Sequence, residues 1–233
     1  MIRLDQFLTS TVGRKYLMGL SGIFLVLFTI SHLAGNATLY FPDAEIFNTY
    51  AKKLHDLGPL LIIGEVGVVF TFLLHIYTGI RVTLHNKSAR SERYAVSLQS
   101  KGGPSKSNFM SRMMPVSGVI LMFFVLFHVW QMKFQMGNEF YMTDVGGVEA
   151  RDLHQWVIEV FENPFYVLFY VGCMLLLGMH LRHGFWSAFQ SLGVAYPRIS
   201  CFLSLLGGLV AIALAVGFLM IPLWIHFDPL GVF

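Results

Sequence analysis

The chain has 233 residues, of which 55% are hydrophobic and only 12% are charged, and its formal net charge is +3. Soluble domains usually carry about a quarter charged residues, so this composition excludes an ordinary water-soluble fold and indicates a membrane protein. The two cysteines, Cys173 and Cys201, form no CxxC or CxxCH motif. Their spacing argues against a covalently attached c-type haem, a zinc knuckle and a cysteine-held iron–sulfur cluster. We expect no nucleic-acid partner.

Five apolar segments are long enough to span a bilayer, which takes about 20 residues of helix. Their approximate bounds are 15–40, 59–84, 112–135, 164–190 and 197–226. Each must be helical, because lipid offers no partner for an unpaired backbone group. The first segment is too long for a signal-peptide core, so we expect it to be retained. The predicted fold class is all-α: residues 1–233 form a single domain, an integral membrane bundle of five transmembrane helices.

The loops between the spans differ in charge, and the difference predicts the orientation of the chain. Three cations flank the first span, seven follow the second and two lie at the turn between the fourth and the fifth, which puts twelve on one side. They are Arg3, Arg14, Lys15, Arg81, Lys87, Arg90, Arg93, Lys101, Lys106, Arg112, Arg182 and Arg198. The other side has four cations and most of the acidic residues. The positive-inside rule therefore places the N-terminus in the cytoplasm and the C-terminus outside.

The basic loop between the second and third spans, residues 87–108, is rich in Ser and Gly. One interpretation is a solvated connector whose charges fix the topology. A sharper one is a docking surface for a soluble partner. We find no internal sequence repeat, and no loop is long enough for a separate soluble domain.

Five of the nine histidines lie inside the spans, away from their ends: His32, His75, His128, His180 and His183. Ionisable residues within a membrane are functional candidates by default, although a single one can also be a core histidine bonded to a neighbouring helix. At 1.5 Å per residue, the first four lie about 24–26 Å along their own spans. Because successive spans run in opposite directions, His32 and His128 share a level near the outer side. His75 and His180 share another near the cytoplasmic side.

Two facing imidazoles at each level suit a haem iron, because the porphyrin supplies the other four nitrogens. A bare metal site would need further ligands, and the Glu-x-x-His motif of di-iron bundles does not occur. Gly79 and Gly184 follow His75 and His180 at i+4 on the same helix face, where a missing side chain leaves room for a flat macrocycle. Alternatively, these glycines only allow close helix packing. We predict that the first four spans enclose two b haems.

His183 is the rival of His180 as the ligand in the fourth span. It lies three residues further on, near the same face, but Ser187 rather than a glycine occupies its i+4 position, which favours His180. His183 and His85 would then lie near the cytoplasmic surface, where they could serve haem propionates or a subunit interface. Five cations are candidate partners of the inner haem's propionates by charge attraction, or else plain interfacial anchors. They are Arg14, Lys15, Arg81, Lys87 and Arg182.

The first four spans carry the motifs SHLAGN, HIYTG, FHVWQ and HLRHGFWSAFQSLG. Over nearly its whole length the chain resembles the single-chain, five-helix dihaem cytochrome b anchor subunit of succinate dehydrogenases and fumarate reductases. The resemblance implies one axial histidine on each of the first four spans. It pairs His32 with His128 on the outer haem and His75 with His180 on the inner haem, in agreement with the levels along the spans.

The resemblance also implies a function in the bacterial cytoplasmic membrane. A flavoprotein subunit and an iron–sulfur subunit would dock on the cytoplasmic side. Electrons would pass from succinate through flavin and iron–sulfur clusters to the inner haem, the outer haem and a quinone, with menaquinone favoured; the reverse direction would reduce fumarate. The chain would have no dicarboxylate site of its own. Alternatives are a dihaem cytochrome b of another quinone-linked dehydrogenase or hydrogenase, and a transporter with a histidine proton relay.

Glu65 is the one carboxylate well inside a span, roughly 9 Å from the outer end of the second. Quinone chemistry moves protons together with electrons, and a carboxylate near the outer haem can carry them. We hypothesise this role for Glu65. The alternative is a side chain that reaches the outer surface or bonds to a neighbouring helix.

Overall fold

The computed structural model describes residues 3–41, 43–88, 99–100, 103–104, 109–194 and 196–228. Most of the predicted basic loop, including Arg90, Arg93, Lys101 and Lys106, lies outside these ranges. Within them the α-helices are α1 (Leu4–Thr9), α2 (Thr11–Asn36), α3 (Ala44–His55), α4 (Pro59–Ser88), α5 (Phe109–His128), α6 (Leu153–Glu162), α7 (Pro164–Ser191) and α8 (Pro197–Phe227). The strands are β1 (Gln99–Ser100), β2 (Gly103–Pro104), β3 (Met142–Asp144) and β4 (Glu149–Arg151).

Five of these helices, α2, α4, α5, α7 and α8, are long and apolar enough to cross a membrane. The prediction of a mostly helical chain with five spans is confirmed, and the chain has the structure of a multi-pass membrane protein. The first span continues from α2 into a 3-10 turn, Ala37–Tyr40, and the third from α5 into a π-helical turn, Val129–Lys133.

The ends of the spans follow local capping rather than hydropathy alone. α2 begins at Thr11, before the expected start near residue 15, because Ser10 Oγ accepts a hydrogen bond from the Gly13 amide at 3.0 Å and caps the helix. α4 runs to Ser88, past the expected end near residue 84, and its polar last turn is helical. α7 begins at Pro164, as predicted, with Asn163 as its cap.

Several short elements in the loops were not predicted. Asp43 and Asp152 cap α3 and α6, each accepting a hydrogen bond from a backbone amide of the first turn. β3 and β4 form an antiparallel hairpin in which Met142 pairs with Arg151. Asn48 of α3 joins these pieces, since its Nδ2 donates to Asp152 Oδ1 at 2.8 Å and its Oδ1 accepts from the backbone amide at the start of α6.

The spans pack around α2 and α7. α2 contacts both α4 and α7, while α7 also packs against α5 and along most of α8. α4 makes few contacts with α5, and Thr78 is its one fully buried residue. Helix α4 is therefore attached to the bundle mainly through α2.

We call the end of the bundle that carries α3, the β3–β4 hairpin and α6 the hairpin end, and the other the α1 end. The main buried core lies towards the hairpin end, where α6 packs against α7 and α8, and α3 packs against α6. It is built around Phe47, Trp156, Phe161, Tyr170 and Ile225, all at most 6% exposed. This cap gives one end of the bundle a fixed, well-packed structure.

Candidate functional site: two histidine pairs

Two pairs of histidine rings meet inside the bundle. The rings of His32 on α2 and His128 on α5 have centroids 5.9 Å apart and planes inclined at 83°. Those of His75 on α4 and His180 on α7 are 6.4 Å apart at 70°. The structure thus brings together the same residues that the positions along the spans pair. It is His180, rather than its rival His183, whose ring faces His75.

The separation of each pair can be compared with the geometry of a shared metal. An imidazole–metal bond is about 2.0 Å and the ring centre lies roughly 1.1 Å beyond the nitrogen, so two imidazoles on opposite sides of one metal have centroids about 6.2 Å apart. Both measured separations, 5.9 and 6.4 Å, are near this value. Edge-to-face rings without a metal also lie about 4.5–7 Å apart, so the distance is a necessary and not a sufficient sign of a metal.

Serine hydroxyls lie at the Nδ1 atoms of the pair nearer the α1 end. Ser21 Oγ is 3.2 Å from His75 Nδ1, and Ser117 Oγ is 3.0 Å from His180 Nδ1. Each hydroxyl donates a hydrogen bond to the backbone carbonyl three residues before it, so its oxygen is available to accept a hydrogen bond from the imidazole N–H. This arrangement assigns the proton to Nδ1 and leaves the lone pair of Nε2 for a metal.

Glycines next to these serines let the two imidazoles approach the neighbouring helix. A Cβ added at Gly22 would lie 3.3 Å from His75 Cε1, and one at Gly118 would lie 3.6 Å from His180 Cε1. The His75 ring would have to move by a few tenths of an ångström to admit a Cβ at Gly22, whereas a Cβ at Gly118 would be in ordinary van der Waals contact with His180. Gly22 therefore helps to set where the His75 ring lies.

The glycines that sequence analysis singled out have open space beside them. A Cβ at Gly79 would meet no described atom within 4 Å, and one at Gly184 would meet only Met114 Cε, at 3.8 Å. Close helix packing, the alternative reason for a glycine, does not account for Gly79. Gly67 and Gly172, eight residues before His75 and His180, likewise have no described neighbour within 4 Å.

The pair nearer the hairpin end has a different environment. His128 Nδ1 lies 3.2 Å from the hydroxyl of Tyr170, which donates to Gln131 Oε1 at 2.8 Å. His32 Nδ1 lies 3.4 Å from Asn36 Nδ2, which also donates to the His32 carbonyl at 2.8 Å. Aromatic rings stack on both imidazoles, Phe28 on His32 and Phe124 on His128.

The candidate propionate partners divide into separate positions. Arg14 and Arg81 line one cleft of about 400 Å³ at the α1 end, together with His85. The Arg182 guanidinium lies against α8, where a Cβ at Gly208 would be 2.8 Å from its Nη1. Lys15 is exposed. Only Arg14 and Arg81 of this predicted set are thus brought together.

Glu65 lies near the hairpin end in an ion pair. Its Oε1 is 2.5 Å from Lys133 Nζ, with 41% of the Glu65 side chain and 48% of the Lys133 side chain exposed. The pair links α4 to the end of the third span. Of the two interpretations of Glu65, the bond to a neighbouring helix is therefore present, and a role in proton transfer stays a hypothesis.

Outside the spans, the cap at the hairpin end contains a buried histidine. His154, at the start of α6, is 7% exposed. Burial lowers the pKa of His154, while Asp152 and Asp43 act in the opposite direction. His154 therefore favours the neutral form in the folded cap.

The residues that surround the histidines were not predicted from the sequence, although a local repeat marks several of them. Helices α2 and α5 share the pattern Ser-Gly-x9-His, at Ser21–His32 and Ser117–His128. Helices α4 and α7 share Gly-x7-His-x3-Gly, at Gly67–Gly79 and Gly172–Gly184. The statement that the sequence has no internal repeat is wrong at this short length scale. Tyr170 and Gln131 have no comparable signal.

No protein-family model, no curated protein and no solved structure matches this chain. The candidate site consists of two imidazole pairs, the hydroxyl groups at Nδ1 of three of the four rings, and the glycines beside them.

Proposed function

We propose that the chain is a dihaem cytochrome b that serves as the membrane anchor of a succinate:quinone oxidoreductase, either a succinate dehydrogenase or a fumarate reductase. The observation that carries this proposal is the meeting of four histidines from four helices as two pairs with the spacing of axial ligands. The resemblance of the motifs around those histidines supports the particular enzyme.

The donor set of each pair suits haem. Each offers two imidazoles, and within the described residues no group of three or more His, Cys, Asp or Glu side chains could hold a metal ion. A porphyrin brings its own four nitrogens, so two protein ligands suffice. Bound haem supplies one-electron transfer. His32 and His128 would hold the outer haem, and His75 and His180 the inner one.

The surrounding residues support this assignment by what they do to the imidazoles. Ser21 and Ser117 accept from Nδ1 and orient the rings. The open spaces beside Gly79 and Gly184 provide room next to the inner pair. The apolar spans would exclude water from a haem held between the imidazoles.

The charge pattern supports an orientation with the α1 end in the cytoplasm, and the resemblance implies a bacterial membrane. Arg14, Arg81 and Arg182 lie at that end, where an iron–sulfur subunit and a flavoprotein subunit would dock. Succinate or fumarate would react in the flavoprotein subunit and not in this chain. Electrons would then cross from the inner pair to the outer pair.

A quinone, with menaquinone favoured by the resemblance, would react near the hairpin end. Glu65 is our candidate for proton transfer there, because its carboxylate lies towards that end and is partly exposed. Lys133 holds this carboxylate in place as an ion pair.

Purification of the complex from its native membrane tests this proposal. A flavoprotein and an iron–sulfur subunit should co-purify with the chain, and succinate should reduce b haem in the isolated complex. Co-purification with a hydrogenase or formate dehydrogenase, without succinate-dependent reduction, would support the alternative dihaem cytochrome. A purified chain without haem would contradict both.

A further inference from the structure

The third span changes its helical geometry immediately after His128. Regular α-helix ends there, and the next turn, Val129–Lys133, is π-helical. Such turns are rare and frequently occur at functional sites. The widened turn is held from outside the bundle. Arg151 donates to the carbonyls of its last two residues at 2.9 Å each, and Trp156 Nε1 donates to the Gln131 carbonyl at 2.9 Å.

This support places the side chain of Gln131 inside the protein. Gln131 is fully buried, and its Oε1 accepts from the Tyr170 hydroxyl at 2.8 Å. Tyr170 is itself 6% exposed, and its hydroxyl oxygen lies 3.2 Å from His128 Nδ1. A phenol has a single proton. Because the Tyr170 O–H donates its hydrogen bond to Gln131, the phenol oxygen can only accept a hydrogen bond from His128.

The direction of these bonds determines the chemistry of His128. Nδ1 carries the proton and donates a hydrogen bond to the Tyr170 oxygen, which leaves Nε2 as the metal-binding atom. Donation from Nδ1 to an oxygen increases the basicity of the ligand nitrogen. A more basic ligand stabilises ferric over ferrous iron and so lowers the reduction potential.

The other histidine of the same pair, His32, has no equivalent acceptor at Nδ1 among the residues that the structure describes. His32 Nδ1 faces Asn36 Nδ2, which is a donor atom, at 3.4 Å. In the second pair, by contrast, both imidazoles face serine oxygens. Tyr170 is therefore the hydroxyl acceptor on which the outer pair depends.

We propose that Tyr170 and Gln131 are positioning residues that fix the His128 ring and keep the reduction potential of the outer haem low, acting as one unit held by the π-helical turn. This rests on the proposed function, since it assumes that haem is bound at the pair. The outer haem would lie at the end of the path nearer the quinone, where a potential suited to the quinone is needed.

Potentiometry of the purified haem-loaded complex tests the proposal with three variants. Tyr170→Phe should shift one of the two haem potentials in the positive direction and leave the other unmoved. Gln131→Met should shift the same haem in the same direction by a smaller amount, because Tyr170 stays but is no longer polarised by its acceptor. The double variant should match Tyr170→Phe alone, since Gln131 acts only through the phenol.

Tyr166→Phe is the matched control. Tyr166 lies one turn earlier on α7 and its hydroxyl contacts Met136 Sδ at 4.0 Å rather than a histidine. It should leave both potentials unchanged, although it removes the same atom from the same helix. A structural effect of losing a hydroxyl near the hairpin end would appear in both variants.

Three results would overturn the proposal: both haems bound with unmoved potentials in Tyr170→Phe, unmoved potentials in Gln131→Met, or a Gln131→Met shift that adds fully to that of Tyr170→Phe. If Tyr170→Phe fails to retain the outer haem, Gln131→Met still decides, because it keeps the phenol. Absence of haem from the unsubstituted complex would instead contradict the proposed function.

Discussion

At the scale of single residues, the hydrogen bonds at Nδ1 distinguish these histidines from ordinary core histidines. Ser21 and Ser117 each lie within hydrogen-bond distance of a ring that also meets another histidine ring. A neutral imidazole with Nδ1 bound in this way presents Nε2 as its acceptor or ligand atom. Under the proposed function the serines would prepare the rings to bind a metal, which a simple packing role would not require.

Replacement of either serine tests this preparation. Ser21→Ala and Ser117→Ala should each weaken retention of one haem, by about 10–100-fold in affinity, the usual effect of losing a partner of a ligating histidine. Haem transfer to an apo-globin acceptor measures the affinity. Ser31→Ala is the control, since the Ser31 hydroxyl donates to the backbone carbonyl three residues before it. Equal retention in Ser117→Ala and Ser31→Ala would contradict the role.

Glu65 gives a second test at this scale. Glu65→Gln should suppress quinone turnover and leave the haem spectra intact, because the amide cannot carry protons. Lys133→Gln breaks the same ion pair but keeps the carboxylate, so it should retain more turnover than Glu65→Gln. Turnover that is unchanged in Glu65→Gln would remove this residue from the mechanism. Equal losses in the two variants would assign the effect to the ion pair.

At the scale of helices, length and hydropathy predict the number of spans and the level of each histidine. The short elements were missed because distant residues stabilise them: Asn48 bonds to Asp152 and to the His154 amide, more than 100 residues away in the chain. The π-helical turn was missed for the same reason, since Arg151 and Trp156 hold it. The pairing of the rings was predictable, because helix rise and alternating direction determine depth. The hydroxyl and amide neighbours were not, because they depend on helix rotation.

The open space beside α4 belongs to this scale. Gly79→Leu should abolish binding of one haem, because the side chain would fill space next to His75 that no described residue occupies. Haem content measured by absorbance gives the result. Gly64→Leu, on an exposed face of the same helix, should keep both haems and controls for the added side chain in α4. Two haems in Gly79→Leu would show that this space is not needed.

At the scale of the whole molecule, the two pairs mark a path along the bundle. Ser21 lies beside the His75–His180 pair, and His32 belongs to the pair with His128. The two residues are eleven positions apart on α2, so the levels are about 16 Å apart along the helix. That is about half of a ~30 Å hydrocarbon core. In the proposed orientation, an electron moving between the pairs crosses a large part of the membrane. Charge movement of this kind is coupled to the membrane potential, at ~2.3 kcal/mol per charge per 100 mV for a full crossing.

The haem content of the purified chain tests the central proposal most directly. A reduced-minus-oxidised spectrum should give two b haems per unsubstituted chain. His180→Ala should lose one of them, because the ring of His180 faces His75. His183→Ala, three residues away, should keep both. An unsubstituted chain without haem, or a His183→Ala chain that loses the haem while His180→Ala keeps it, would contradict the account.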